Sequence, residues 1–260
     1  MADPVAFYEP IDDETFVATV ATQSPWDTRL QHGGPPAALI ARMMTTRYPR
    51  ADMRIARLSA EFLGPIPIGT VRVQTRVVRA GKRIEMLEGS IESDGKEVVL
   101  ARAWRIAAGG QTVPPASTPP DVVPAIPGEQ VRAPWLREFG YGAASEWRYV
   151  YGMEGLGPAA VWLRPRIPFI AGLPTLPLDR AILLADSANG ISGELPMDDW
   201  MFVPPSLSLA FERYPEGEWT LLEARTTLSN DGLGITSLRL GDQHGYFGVG
   251  SQSLFVARRI

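Results

Sequence analysis

Along most of this chain, apolar residues recur at every second position. In the first half RLSAEFLGPIPIG, VRVQTRVVRAGKRI and MLEGSIESDGKEVVLARAWRI follow one another, alternating or β-branched, with glycine-bearing turns between them. In the second half SLSLAFERYPEGE, WTLLEARTTLSNDGLGI and SLRLGDQHGYFGVGSQSLFV do the same. A period of two buries one face of a strand, so both sets predict antiparallel sheet. Two segments ahead of the strands read as helices. GGPPAALIARMMTTRYP places Pro35 and Pro36 in an opening turn, and LDRAILLADSANGI ends at Asn189-Gly190, residues suited to a left-handed cap. Each half thus reads as a short strand, one helix and four long strands, a pattern satisfied by a curved sheet wrapped round a central helix.

Between the halves lies GGQTVPPASTPPDVVPAIPGEQVRAPW, residues 109–135, with seven prolines. Proline removes backbone donors and disfavours helix, so this stretch is expected to be an extended linker between a unit at 1–108 and one at 136–260. The halves also share a faint repeat. Leu58-Ser59 through Phe62 falls on Leu207-Ser208 through Phe211 at an offset of 149, and Asp94-Gly95 falls close to His244-Gly245.

One residue stands out against the pattern. In RAILLADSANGI, Asp186 shares a helix face with Ile182 and Asn189, four and three residues away. An ionised carboxylate buried without partners costs several kcal/mol, so Asp186 is either exposed, paired with Arg180, or used. The first helix segment, residues 28–51, contains no Asp or Glu. The copies differ at this point.

Composition removes several chemistries. There is no cysteine, so disulfides, thiolate nucleophiles and Cys-bound zinc are excluded. Only His32 and His244 exist, which excludes a multi-histidine metal site. The net charge of −4 without a basic block argues against nucleic acid. The acidic start lacks a signal-peptide pattern and no window reaches 18 apolar residues, so a cytoplasmic protein without a membrane span is expected. GxSxG, GxxxxGK[ST] and GxGxxG are all missing, which disfavours a serine nucleophile and nucleotide binding.

With QHGGPPAALIARMM, Asp186, Thr227 in EARTTLS and Gln252 in VGSQSLFVAR, the chain resembles the thioesterase-like superfamily, close to bacterial acyl-CoA thioesterase II, over residues 10–258. The resemblance implies an α+β double hotdog, two antiparallel sheets each wrapped round a central helix and joined side by side. It implies hydrolysis of a fatty acyl-CoA by water held at Asp186, Thr227 and Gln252, with no cofactor and no metal, in a homodimer or larger homo-oligomer. Thr226 and Ser229 replace Thr227 if the strand register slips. By the repeat, Thr227 falls on Val78 and Gln252 on Arg102, so one site per chain is expected.

These residue types suit the chemistry. Partial burial raises a carboxyl pKa towards that of a useful base, and a hydroxyl and an amide on neighbouring strands can fix a water. Gly33 and Gly34 precede a helix, where free N–H groups favour negative charge and glycine permits close approach, so they are expected to bind the thioester oxygen. His32 joins them at the substrate side, its plainer role being packing at the helix entrance. Two other functions compete: a hotdog enoyl-CoA hydratase or dehydratase using His32 with Asp186, and a non-catalytic acyl-CoA-binding module.

Overall fold

In a computed structural model of the chain, residues 4–109, 114, 121–130, 134–153 and 156–259 are described. The first half runs β1 (Tyr8–Pro10), β2 (Thr15–Ala18), α1 (Gly34–Arg47), β3 (Met53–Phe62), β4 (Thr70–Arg79), β5 (Ile84–Ser93) and β6 (Lys96–Ala107). The second runs α2 (Gly140–Ala143), β7 (Ser145–Tyr151), β8 (Ala159–Pro165), α3 (Pro177–Ala185), α4 (Ala188–Ile191), β9 (Trp200–Val203), β10 (Ser206–Phe211), β11 (Thr220–Leu228), β12 (Leu233–Asp242) and β13 (Gly245–Arg258). Two strands, rather than one short strand, precede the helix in each half.

All the strands belong to one sheet in the order β1-β2-β4-β5-β6-β3-β10-β13-β12-β11-β8-β7, with β9 added on β13. Every named pair is antiparallel. The order reads alike from both ends if β3 corresponds to β10, β4 to β11, β5 to β12 and β6 to β13. The join is β3 on β10, centred where Ser59 faces Ser208. These residues differ by the repeat offset of 149, so each faces its own counterpart across a pseudo-two-fold axis. This is the expected double hotdog.

The same offset holds across the sheet and corrects one alignment. In the second half Thr226 pairs with Thr236, and Thr236 with Gln252. In the first half Val77 pairs with Leu87, and Leu87 with Ala103. Each residue of one row lies 149 after its counterpart. The counterpart of Gln252 is therefore Ala103, while Arg102 faces Ser59 on the other side of the strand and binds Glu88. A row of three apolar residues in one copy is a row of three polar residues in the other.

The main core lies between the sheet and the helices α1 and α3. α1 is buried from Gly34 through Met44, as expected of a helix surrounded by protein. It packs on α3, and the two are joined by a buried ion pair, Arg42 Nη1 to Asp179 Oδ2 at 2.7 Å. Arg42 also donates to Pro174 O, and Asp179 caps the Leu176 N–H. Much of the expected linker lies outside the described residues. Residues 121–130 hug the second half: Gln130 bonds both main-chain groups of Tyr149, while Val123 and Ile126 cover Trp162 and Leu221. No helix among the described residues is long and apolar enough to cross a membrane.

Candidate active site

Asp186 is not inside a helix. α3 stops at Ala185, Asp186 caps it with φ −69° and ψ −8°, and α4 begins two residues later. Gly190 lies within α4 and outside the left-handed region, so the expected cap at Asn189-Gly190 does not form. Tyr141 supports the break, its hydroxyl lying 3.1 Å from Leu183 O, to which it donates, and 2.8 Å from Ser187 Oγ. It thereby takes up a carbonyl left free at the end of α3. Arg180 binds Gly217 O and leaves Asp186 to other partners.

The N-terminus of α1 presses against this break. A Cβ on Gly34 would stand 2.1 Å from Leu183 O, and one on Gly33 would stand 2.8 Å from Asp186 Oδ2. Only glycine allows that approach. Gly34 and Leu183 also differ by 149, so the contact lies on the pseudo-two-fold axis. Asp186 therefore sits where the second half meets the positive end of the first half's helix.

Its partners come from both halves. Gln252 Nε2 donates to Asp186 Oδ1 at 2.8 Å and to Asp186 O at 3.2 Å, while Gln252 Oε1 accepts from the Asn189 N–H at 3.1 Å. His32 Nδ1 lies 3.1 Å from Asp186 Oδ2. The N–H groups of Gly33 and Gly34 face the same carboxylate, and that of Gly34 donates to His32 Nδ1 at 3.3 Å. The imidazole stacks flat on Tyr141, with centroids 4.1 Å apart and planes 3° apart.

Asp186 is 3% exposed. Burial pushes its pKa up to about 7, against the downward pull of Gln252 and the two glycine amides. Burial also lowers His32, to about 3. Below about pH 7 the carboxyl is protonated and the imidazole neutral. Above it, the carboxylate is ionised beside a still neutral ring.

Thr227 does not join this group. Its side chain is exposed on the outer face, and β12 lies between its strand and that of Gln252. Strand alternation gives the reason: Ala224 and Thr226 point inward, so Arg225 and Thr227 point out. Ser229 is also exposed and binds Asp231. Thr226 is the buried hydroxyl, 2.9 Å from Ser192 Oγ and 2.8 Å from Thr236 Oγ1. Ser192 in turn donates to Ala188 O. This chain ties α4 to the sheet next to Gln252. Tyr141, Ser192 and Thr236 were not singled out in the sequence, and Asn189 only as a helix cap and a neighbour of Asp186 on its helix face.

His32, Gly33 and Asp186 open onto a cleft of about 520 Å³. Its walls are chiefly apolar, with Trp26, Leu30, Phe62, Ile66, Val203 and Phe255 among them and prolines 65, 204 and 205 as stiff elements. Clefts of this size and character hold small organic ligands. No cluster of three or more potential metal ligands occurs among the described residues.

Residues 22–106 match the family model for the acyl-CoA thioesterase N-terminal domain, and residues 114–256 match that for its C-terminal domain. Similar solved structures include a hot dog fold protein from Alicyclobacillus acidocaldarius, with TM-score 0.73, 16% identity, and 96% of each chain covered. An acyl-CoA thioesterase II from Mycobacterium marinum gives TM-score 0.69 at 15% identity, over 97% of this chain and 96% of that one. The tesB protein of Mycobacterium avium subs paratuberculosis gives 0.67 at 15%, over 96% of each. No curated protein matches the sequence. At these identities the structures speak for the fold, and the two family models, which together span most of the chain, speak for the chemistry: the protein belongs to the acyl-CoA thioesterase family and is a thioester hydrolase.

Proposed function

We propose that the protein hydrolyses a fatty acyl-CoA to the free acid and CoA, with a water whose activation depends on Asp186. The observation that carries this reading is a buried carboxyl poised near neutrality at the open side of an apolar cleft. Such a group is ionised in the working pH range yet basic enough to accept a proton. Gln252 holds it from one side and His32 from the other. Gly33 and Gly34 present N–H groups where negative charge develops, and an oxyanion donor is commonly worth roughly 10²–10³ in rate. The cleft walls suit an aliphatic acyl chain. Thr227 has no part in this reading. One site serves each chain, because the first half has Val77, Leu87 and Ala103 where the second has Thr226, Thr236 and Gln252. The same reading has the enzyme acting in the cytoplasm as a homodimer or larger homo-oligomer.

The test is thiol release from acyl-CoAs of short to long chain, with wild type and Asp186→Asn. Loss of roughly 10²–10⁴ in kcat is expected, the usual worth of a general base. Full activity in the variant would remove Asp186 from the mechanism. The His32–Asp186 contact favours a second reading, water addition to an enoyl-CoA. That reading wins if hydration proceeds while no thiol appears.

A further inference from the structure

We infer that the cavity beside the start of α3 is a second binding site, built for a phosphate monoester. The inference goes beyond the hydrolase reading and does not depend on it.

The cavity holds about 450 Å³ and shares no lining residue with the catalytic cleft. Arg180 lines it, six residues before Asp186 and so about 9 Å away along the helix. The two sites stand at opposite ends of α3.

Three observations name the ligand. First, the lining has hydrogen-bond donors to spare. A guanidinium carries five N–H donors and no acceptor. Arg180 spends one on Gly217 O and forms no ion pair among the described residues. Burial pulls its pKa down, against the fields of Glu218 and Asp179, so its charge lacks a close partner. The Arg166 side chain makes no hydrogen bond among the described residues, and Glu146 stands 3.9 Å from it. Thr175 Oγ1 accepts from the Phe169 N–H, which leaves its own hydrogen free to donate.

Second, the carboxylates nearby are engaged. Glu146 Oε1 accepts from Nε and Nη2 of Arg148, and its Oε2 accepts from Arg164. Glu218 takes a bond from Arg164 at 3.3 Å, and Asp179 is held by Arg42 and the Leu176 N–H. Three arginines against two glutamates leave the lining positive.

Third, the donors suit one shape of anion. A single guanidinium satisfies both oxygens of a carboxylate in a fork. Two guanidinium groups and a hydroxyl, on separate segments, match the larger set of oxygens on a phosphate. Pro165, Ile167 and Pro168 supply apolar wall for a compact organic group on the ester oxygen.

The test is calorimetric titration of the full chain with inorganic phosphate, phenyl phosphate and, as the carboxylate counterpart, benzoate. Phenyl phosphate should bind saturably at a single site, with benzoate weaker by roughly tenfold. Arg180→Met and Arg166→Met should each weaken phenyl phosphate by roughly 10–10²-fold, the usual worth of a hydrogen bond to a charged group. Arg166→Met removes no hydrogen bond of the fold, so it decides the matter if Arg180→Met does not fold. The proposal is overturned by absence of saturable binding, by equal affinity for benzoate, or by full affinity in a folded Arg166→Met. KM for an acyl-CoA in Arg166→Met identifies the source of the phosphate. An unchanged KM assigns the cavity to a separate phosphorylated ligand, and a rise of roughly tenfold assigns it to the substrate's own phosphomonoester.

Discussion

An ionisable residue kept in the core for chemistry should weaken the fold in a pH-dependent way, and Asp186 allows the size to be worked out. Its carboxyl titrates near 3.8 when unperturbed and near 7 in the folded protein. A folded-state pKa above the unfolded one means that stability is greatest below about pH 3.8. Stability then falls as pH rises and levels off above about pH 7. Roughly three pKa units at about 1.36 kcal/mol each give a full penalty of about 4 kcal/mol. About a third of it is already felt at pH 5, so roughly 2.7 kcal/mol is lost between pH 5 and pH 8.5. Asp186→Asn cannot ionise. It carries its own fixed cost, because one end of the amide must turn an NH₂ towards the Gly33 and Gly34 amides or towards Gln252 Nε2. That cost does not change with pH. The assay is therefore the gap in Tm between variant and wild type, measured by calorimetry at pH 5 and pH 8.5. The gap should move in favour of Asp186→Asn by about 5–10 °C, taking roughly 2–4 °C per kcal/mol for a chain of this size. Every other titrating group is common to both proteins and cancels. A gap that stays constant to within a degree would show that Asp186 is not held near neutrality, and the argument from burial to base would fail.

Other perturbations reach different parts of the molecule. In the pH profile, kcat/KM of the wild type should rise from pH 5 to pH 8 with a midpoint near 7 as Asp186 ionises, and a flat profile would contradict this. Arg42→Ala leaves Asp179 buried without its ion partner and should cost about 3–5 kcal/mol by denaturant unfolding. The pair Arg42→Met with Asp179→Leu should recover most of that, less about 1 kcal/mol for the lost cap on Leu176. Gly34→Ala pushes a methyl into Leu183 O and should reduce both Tm and activity, whereas Gly128→Ala meets nothing and should change neither. Thr227→Val should leave kcat unchanged. Thr226→Val strands hydroxyls on Ser192 and Thr236 and should cost about 1–3 kcal/mol.

Much of the fold could be read from periodicity, because a two-residue alternation over ten residues admits few other structures. The repeat was legible for the same reason, and its offset of 149 reappears in the strand register at Ser59 and Ser208. Asp186 and Gln252 were visible as polar residues set among apolar ones. Thr227 failed on a parity that Arg225 could have given, since a charged residue two positions away belongs to the same outward face. The helix break at Asp186 was not legible, because Tyr141, which supports it, lies 45 residues earlier in the chain, and its dihedrals remain right-handed. The pairing of His32 with Asp186 was legible only as the alternative hydratase arrangement, and its 3.1 Å contact was not. It depends on how closely two helices from different halves approach, and sequence spacing does not encode that distance.

The β3–β10 join also fixes how many complete sites the sheet can hold. Either half alone would present a long bare strand at its edge, and such edges are satisfied by pairing with another copy. A lone first half would dimerise β3 on β3 and possess His32, Gly33 and Gly34 twice, but no acid. A lone second half would dimerise β10 on β10 with two copies of Asp186 and Gln252, but no imidazole or glycine turn to face them. Neither symmetric dimer builds the observed site. In the joined chain each half supplies what the other lacks. The two halves are therefore not interchangeable copies but complementary genders of one fold.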